Sequence, residues 1–220
     1  MRIDLASPID AGDFRSRANA LLAQQVLPTD IDWHSEDSLA FGSKFHGRGI
    51  VVPQPPSALH SIVPRSFVRL TELVVLHRDA RRFELMYRLL WRLVHEPELA
   101  GAARDDDMAL AQSMAQAVRR DVLKVRKGLA LRTLAPLDGV VLAVAWCEPQ
   151  QRVTELVADG LSRSGAPPPW LLASPDRCVL WTGRHLLCGP GLVAGQARAM
   201  NDEQWHGLAA ELAELPLAAA

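Results

Sequence analysis

Between Arg81 and Lys127 the chain carries two long segments, RRFELMYRLLWRLVHEPEL and MAQAVRRDVLKVRKG, in which apolar residues recur every three or four positions and arginines fill the gaps. That period fits an α-helix rather than a strand, because residues three and four apart share one helical face. In the first segment Phe83, Met86, Tyr87, Leu90, Trp91 and Val94 form the stripe. Leu85, Leu89 and Leu93 widen it, which predicts that this helix is the central, most buried element. Arginines projecting from anchored helices also make a prepared surface for phosphate or carboxylate.

Composition narrows the class without naming a chemistry. The 220 residues suffice for a sizeable core, and 49% hydrophobic with 22% charged residues is an ordinary globular balance. A net charge of -1 excludes a globally basic protein. From Arg65 to Arg132, however, 14 Lys and Arg stand against 9 Asp and Glu, so the middle third is locally +5 and is the candidate anion-binding region. Three cysteines (Cys147, Cys178, Cys188), an odd count without a CxxC pair, fit a reduced, cytoplasmic protein. The opening MRIDLASPID predicts no export signal, and no apolar run reaches a membrane-spanning length.

Along the chain, alternation predicts a strand over Arg2–Ala6 and the period a helix over Asp13–Gln24, with Phe14, Ala18, Leu21 and Leu22 on one face. Ile31–Trp33 reads as a second strand, closing an N-terminal portion over 1–33, and residues 34–63 as a Pro/Gly-bearing connector. Pro64 opens a helical core over 64–128, in which Phe67, Leu70 and Val74 form the first stripe and Asp79 is a candidate N-cap between two helices. Pro97 ends the second helix. Asp105–Asp107 start the third, where the dipole favours negative charge, and Gly128 stops it.

An α+β portion over 138–191 follows, with Gly139–Trp146 a buried strand, Arg152–Ser162 a helix, and short strands at Trp170–Ala173, Cys178–Trp181 and His185–Cys188. Asn201 with Gln204 forms a capping box for a last helix over 201–215. The expectation is a single α+β domain over 1–220, a helical centre packed with a small, mainly antiparallel sheet.

The runs RDARRFELMYRLLWRLVHEPEL, MAQAVRRDVLKVRKGLALR, VAWCEP and SPDRCVLWTG with LCGPG resemble the bacterial "probable DNA metabolism protein" family over roughly Phe14 to Gly191. The match is strongest at Tyr87, Arg88, Leu89, Trp91 and Arg92, at Arg119, Arg120, Asp121 and Lys124, and at Trp146, Glu148 and Pro149. It resumes at Pro175, Asp176, Arg177, Trp181 and Gly183. The resemblance implies a role in DNA metabolism or repair beside a uracil-DNA glycosylase-like domain or a radical-SAM protein. This chain departs from the family pattern at residues 123–131, where LKVRKGLAL replaces histidines and aromatics, and at Cys147, Gln150 and Gln151. Chemistry carried by those histidines would be lost here, and no fused glycosylase domain is expected after the last helix.

Arg120, Lys124 and Lys127, with Arg119 beside them, fall on one helical face and suggest a phosphate-tracking ridge, joined by Arg88 and Arg92. The plainer alternative is a solvated face whose cations complement the helix dipole. Asp176 and Arg177 in SPDR are a general base and a ligand clamp on one reading, and ordinary β-turn chemistry on the other. Glu148, at a strand end, is a weak catalytic candidate. Cys178 and Cys188, equidistant from Gly183, would face each other in a hairpin with His185 nearby, yet lack a fourth zinc ligand, so no metal and no cofactor are expected.

Trp170 and Trp181, near turns, are the candidate base-stacking aromatics. No HExxH, GxGxxG, P-loop or GxSxG motif is present. Three functions compete. One is an accessory DNA-metabolism protein contacting DNA or a partner through Arg88, Arg92, Arg119, Arg120, Lys124, Lys127 and Arg177. Another is a small nucleic-acid-directed enzyme around Glu148, Asp176, Arg177 and Arg88. The third is a protein-interaction scaffold.

Overall fold

The computed structural model describes residues 1–35, 63–96, 105–165, 167 and 169–214, and the chain forms two compact units whose division falls inside one long helix, after Arg120. The expected connector over 34–63 therefore lies almost wholly outside the described residues, as does Pro97. Among the described residues no helix is long and apolar enough to cross a membrane.

The first unit starts with a parallel strand pair, β1 (Arg2–Leu5) beside β2 (Asp32–Ser35), with Ile3 opposite Trp33. Between them runs α1 (Ala11–Ala23), whose N-cap Asp10 accepts from the Gly12 and Asp13 amides and whose buried residues are Phe14, Ala18, Leu21 and Leu22, the four the period selects. Then come α2 (Arg65–Val74) after Pro64, α3 (Arg82–His95), and the first half of α4 (Asp106–Gly128). Leu85, Leu89 and Leu93 are buried along α3 with Phe83, Met86, Tyr87 and Leu90, so this helix is the axis of the core, while Trp91 is half-buried and stacks on His95 at 4.2 Å. Trp33 lies 5.1 Å from Phe14 and 5.8 Å from Tyr87, tilted ring pairs that each add ~1 kcal/mol beyond burial. The Tyr87 hydroxyl donates to the Val26 carbonyl at 2.8 Å, and burial pushes its pKa up to about 12.

Asp79 is not the cap of α3. That position is Arg81, which makes no side-chain cap bond, and Asp79 instead accepts from the Arg81 amide at 2.9 Å, two residues too early. Arg82 is a buried cation. Its Nε donates to the Val75 carbonyl at 3.0 Å, Nη1 to Asp79 O and Nη2 to Pro8 O, both at 3.1 Å, and the guanidinium lies 4.1 Å over the Phe83 ring. It satisfies the carbonyls at the end of α2 and fastens the loop after β1 to the start of α3.

The second unit holds a five-stranded sheet in the order β3 (Arg132–Thr133), β4 (Ala143–Trp146), β5 (Trp170–Ala173), β6 (Arg177–Trp181), β7 (Leu186–Pro190). β4 and β5 are parallel, joined by α5 (Thr154–Ser162), and every other pairing is antiparallel. The expected strand over Gly139–Trp146 is shorter than the valine run suggested. Asp138 (φ 50°) and Gly139 (φ 77°) form the turn of a hairpin, and Val140 and Val141 stand half exposed beside it. The short helix α6 (Ala194–Ala199) had no distinct period, whereas α7 (Asp202–Glu214) begins with the expected capping box, Asn201 and Gln204 exchanging two bonds of 2.9 Å.

Leu171, Ala173, Cys178 and Leu180 share the sheet face that packs against Trp205 and Leu212 of α7. Strand alternation puts Leu172 and Val179 on the opposite face with α5.

Gly189 backs directly onto Leu212, so that a Cβ there would collide with the leucine Cδ2. Gly189→Ala is expected to lower the urea unfolding free energy by about 1–3 kcal/mol and Leu212→Ala by about 2–5 kcal/mol. The double variant should lose less than the sum by roughly 1 kcal/mol, since the cavity receives the new methyl; strict additivity would show that the two do not share this contact.

Candidate functional site

The arginines of α3 meet the acidic start of α4. Arg88 grips Asp107 with both arms, Nε to Oδ2 and Nη2 to Oδ1, each at 2.8 Å, while Nη1 reaches Glu84 at 2.9 Å. Arg92 pairs with Asp105 at 2.7 Å, with Glu96 at 3.5 Å and with Asp107 at 3.5 Å. Asp105 also accepts from the Met108 amide at 2.8 Å, closing the first turn of α4. These carboxylates oppose the positive end of the α4 dipole and the two guanidinium groups together. The Arg88 hydrogen bonds, then its charge, hold the Asp107 carboxyl below the usual range and raise the pKa of Arg88 in turn.

The other end of α4 is different. Val118, Asp121 and Val125 are buried, but Arg119, Arg120, Lys124, Arg126 and Lys127 are exposed and, among the described residues, carry no ion pair. Asp121, the one carboxylate of this stretch, turns inward and accepts from the Gln151 amide at 2.6 Å. The helix thus puts five cations into solvent within nine residues, with Leu123, 57% exposed, among them. Arg126 and Leu123 belong to this surface although the sequence reading passed over both; the signal available was their spacing from Arg119 and Arg120.

The parallel pair β4 and β5 brings two loops to one end of the sheet, the position at which α/β crossovers collect functional groups. Cys147 donates its amide to the Ala173 carbonyl at 2.9 Å, joining the loop after β4 to the turn after β5. Burial pushes the Cys147 thiol up to about 12, and the charges of Asp121, Asp176 and Glu148 add to the rise. Glu148 is exposed and accepts from Trp146 Nε1 at 2.9 Å and from Arg198 at 3.4 Å. Arg177 is 4% exposed, and its Nε donates to Glu155 at 2.7 Å, while the hydroxyls of Thr154 and Ser174 pair at 2.8 Å.

The cluster proposed for an enzyme is thus brought together in part. Glu148, Asp176 and Arg177 share this end of the second unit, whereas Arg88 belongs to the first unit and is held by Asp107 and Glu84. A half-buried thiol whose pKa is raised stays protonated and is a poor nucleophile.

Cys178 and Cys188 do not face each other: Cys178 stands opposite Gly189 and Cys188 opposite Val179, and a one-residue offset sends the two sulfurs to opposite faces. Among the described residues no three His, Cys, Asp or Glu side chains gather as a metal site. Trp170 is wholly buried and packs across the strands on Trp181 at 6.4 Å, which removes it as a base-stacking platform.

Two measurements check this geometry. Because the Asp107 pKa is lowered, its contribution is full above the ordinary carboxylate value of 3.8 and fades as pH falls below it. Arg88 is 37% exposed, so solvent screening limits the pair, and the Arg88→Ala, Asp107→Ala cycle should give a coupling of ~1 kcal/mol at neutral pH that shrinks by pH ~3. A coupling that grows on acidification would contradict the assignment. Second, native Cys147 should react with iodoacetamide at neutral pH at least about a hundredfold more slowly than in the urea-unfolded chain. Rapid labelling of the native protein would mean that the thiol pKa is not raised.

No curated protein and no solved structure matches the chain. A family model does, over residues 80–206, a span that covers α3, α4, the sheet and the start of α7. The chain belongs to the family described as "Domain of unknown function (DUF4130)".

Proposed function

We propose that this DUF4130 protein is an accessory factor in DNA metabolism or repair that uses the basic end of α4 to contact DNA, or an acidic surface of its partner. The observation that carries this reading is the set Arg119, Arg120, Lys124, Arg126 and Lys127, exposed together and without an ion-pair partner among the described residues. The negative end of a helix dipole amounts to about half a charge, so five cations leave a net positive field there. Arg88, Arg92 and Arg177 serve in this reading as framework, their guanidinium groups being engaged by Asp107, Asp105 and Glu155. The resemblance of the sequence to the DNA-metabolism family supports a uracil-DNA glycosylase-like or radical-SAM protein as the partner.

Fluorescence anisotropy with labelled DNA against salt tests the proposal. A phosphate ridge gives a log–log slope of about −0.9 per phosphate neutralised on duplex and about −0.7 on single strands. The Arg120→Ala, Lys124→Ala variant should flatten the duplex slope by roughly 2 and weaken binding to all sequences alike. No binding at low salt would remove DNA contact and leave docking to an acidic partner surface, read by co-purification.

A further inference from the structure

We infer that α4 is a recognition helix for the major groove of duplex DNA, with Gln116 and Leu123 facing the base edges and the cations straddling them. The inference rests on the DNA-contacting reading above and adds to it a groove, a strand state and two base-facing residues. At about 100° per residue, positions three and four away from Leu123 lie on either side of it. On this helix all four of those positions are cations, Arg119 and Arg126 on one side, Arg120 and Lys127 on the other. Val118, Asp121 and Val125 are buried on the opposite side, so Leu123 sits on the midline of the exposed arc. Two turns earlier on the same midline is Gln116, also exposed, and no hydrogen bond engages it among the described residues.

An apolar and an amide side chain on the midline between two basic rims match a groove floored by base edges and walled by two phosphate rows. A helix about 10–12 Å across fits a groove about 12 Å wide. The amide of glutamine suits adenine N6 and N7, and an aliphatic side chain suits the thymine methyl. Seven residues of helix span about 10 Å, or roughly three base steps. The other anionic ligands fit less well. Single-strand surfaces rely on stacking aromatics, and residues 112–128 contain none. An interfacial membrane helix needs a broad apolar face, and this arc offers one leucine.

The experiment is selection of duplexes from a randomised pool by the full chain, followed by anisotropy with the selected duplex, its isolated strand, anionic phosphatidylserine vesicles and poly-glutamate. The selected duplex should bind most tightly. Gln116→Ala and Leu123→Ala should each weaken it by roughly tenfold and relax preference at one base pair, the two about three apart, with the salt slope unchanged. Arg119→Ala with Arg126→Ala, and Arg120→Ala with Lys127→Ala, should each flatten the slope by roughly 2. All six residues are on the surface, so an unchanged urea midpoint confirms that the fold is intact.

Tighter binding to the single strand, to vesicles or to poly-glutamate would overturn the groove assignment. So would Leu123→Ala and Gln116→Ala variants that bind as well as the parent, even though salt-dependent DNA contact through the ridge then stands. Loss of all nucleic-acid binding at low salt would overturn both readings together.

Discussion

The start of α4 depends on the fork between Arg88 and Asp107. A helix of 23 residues has one set of neighbours along its first half and another along its second. Its start is fixed by two arginines of α3 and by the burial of Ala111, Met114 and Ala115 in the first core. Exposed ion pairs are individually weak, but here one bidentate pair shares carboxylates with a second arginine, and the geometry is set by apolar packing beneath it. Asp105 and Asp107 are engaged in this way, the exposed Asp106 lies at the opposite end of the helix, and Asp121, the last carboxylate of α4, is buried on the Gln151 amide.

The local excess of positive charge therefore includes physically distinct parts. Arg82 is buried among carbonyls and over an aromatic ring, where it caps and tethers backbone. Arg88 and Arg92 join two helices. The cations from Arg119 to Lys127, like Arg65 and Arg69 of α2, are exposed and carry no ion pair among the described residues. A charge count along the sequence adds them together, because whether a guanidinium is spent inside the fold depends on which acceptors the tertiary structure brings to it.

The same distinction explains what was legible beforehand. The stripe of α1, the central burial of α3, the acidic start of α4 and the capping box of α7 are all local, set by residues three or four apart, and each was readable. The parallel pairing of β4 with β5 and the two-residue β3 were not, since they join segments far apart or too short to show a period. The cysteine pair illustrates how little slack there is: counting outward from Gly183 put Cys178 opposite Cys188, and the true register differs by one residue, which reverses the face. Of the candidate site, the spacing of Arg120, Lys124 and Lys127 was visible, while the pairing of Arg88, Arg92 and Arg177 required the fold.

Stability alone does not account for the basic end of α4. Cations near a helix C-terminus gain about 0.3–1 kcal/mol from the dipole, but only within the last turn, which here covers Arg126 and Lys127. Arg119 and Arg120 lie more than two turns before Gly128 and gain nothing from that source. Their neighbours make matters worse: Arg120 with Lys124 at four residues and Lys124 with Lys127 at three are like-charge pairs, each unfavourable by roughly 0.2–0.5 kcal/mol. A helix under no external demand would gain from an exposed glutamate at one of these positions. The surface instead keeps Arg119, Arg120, Lys124, Arg126 and Lys127 without an ion pair among the described residues, around an exposed leucine.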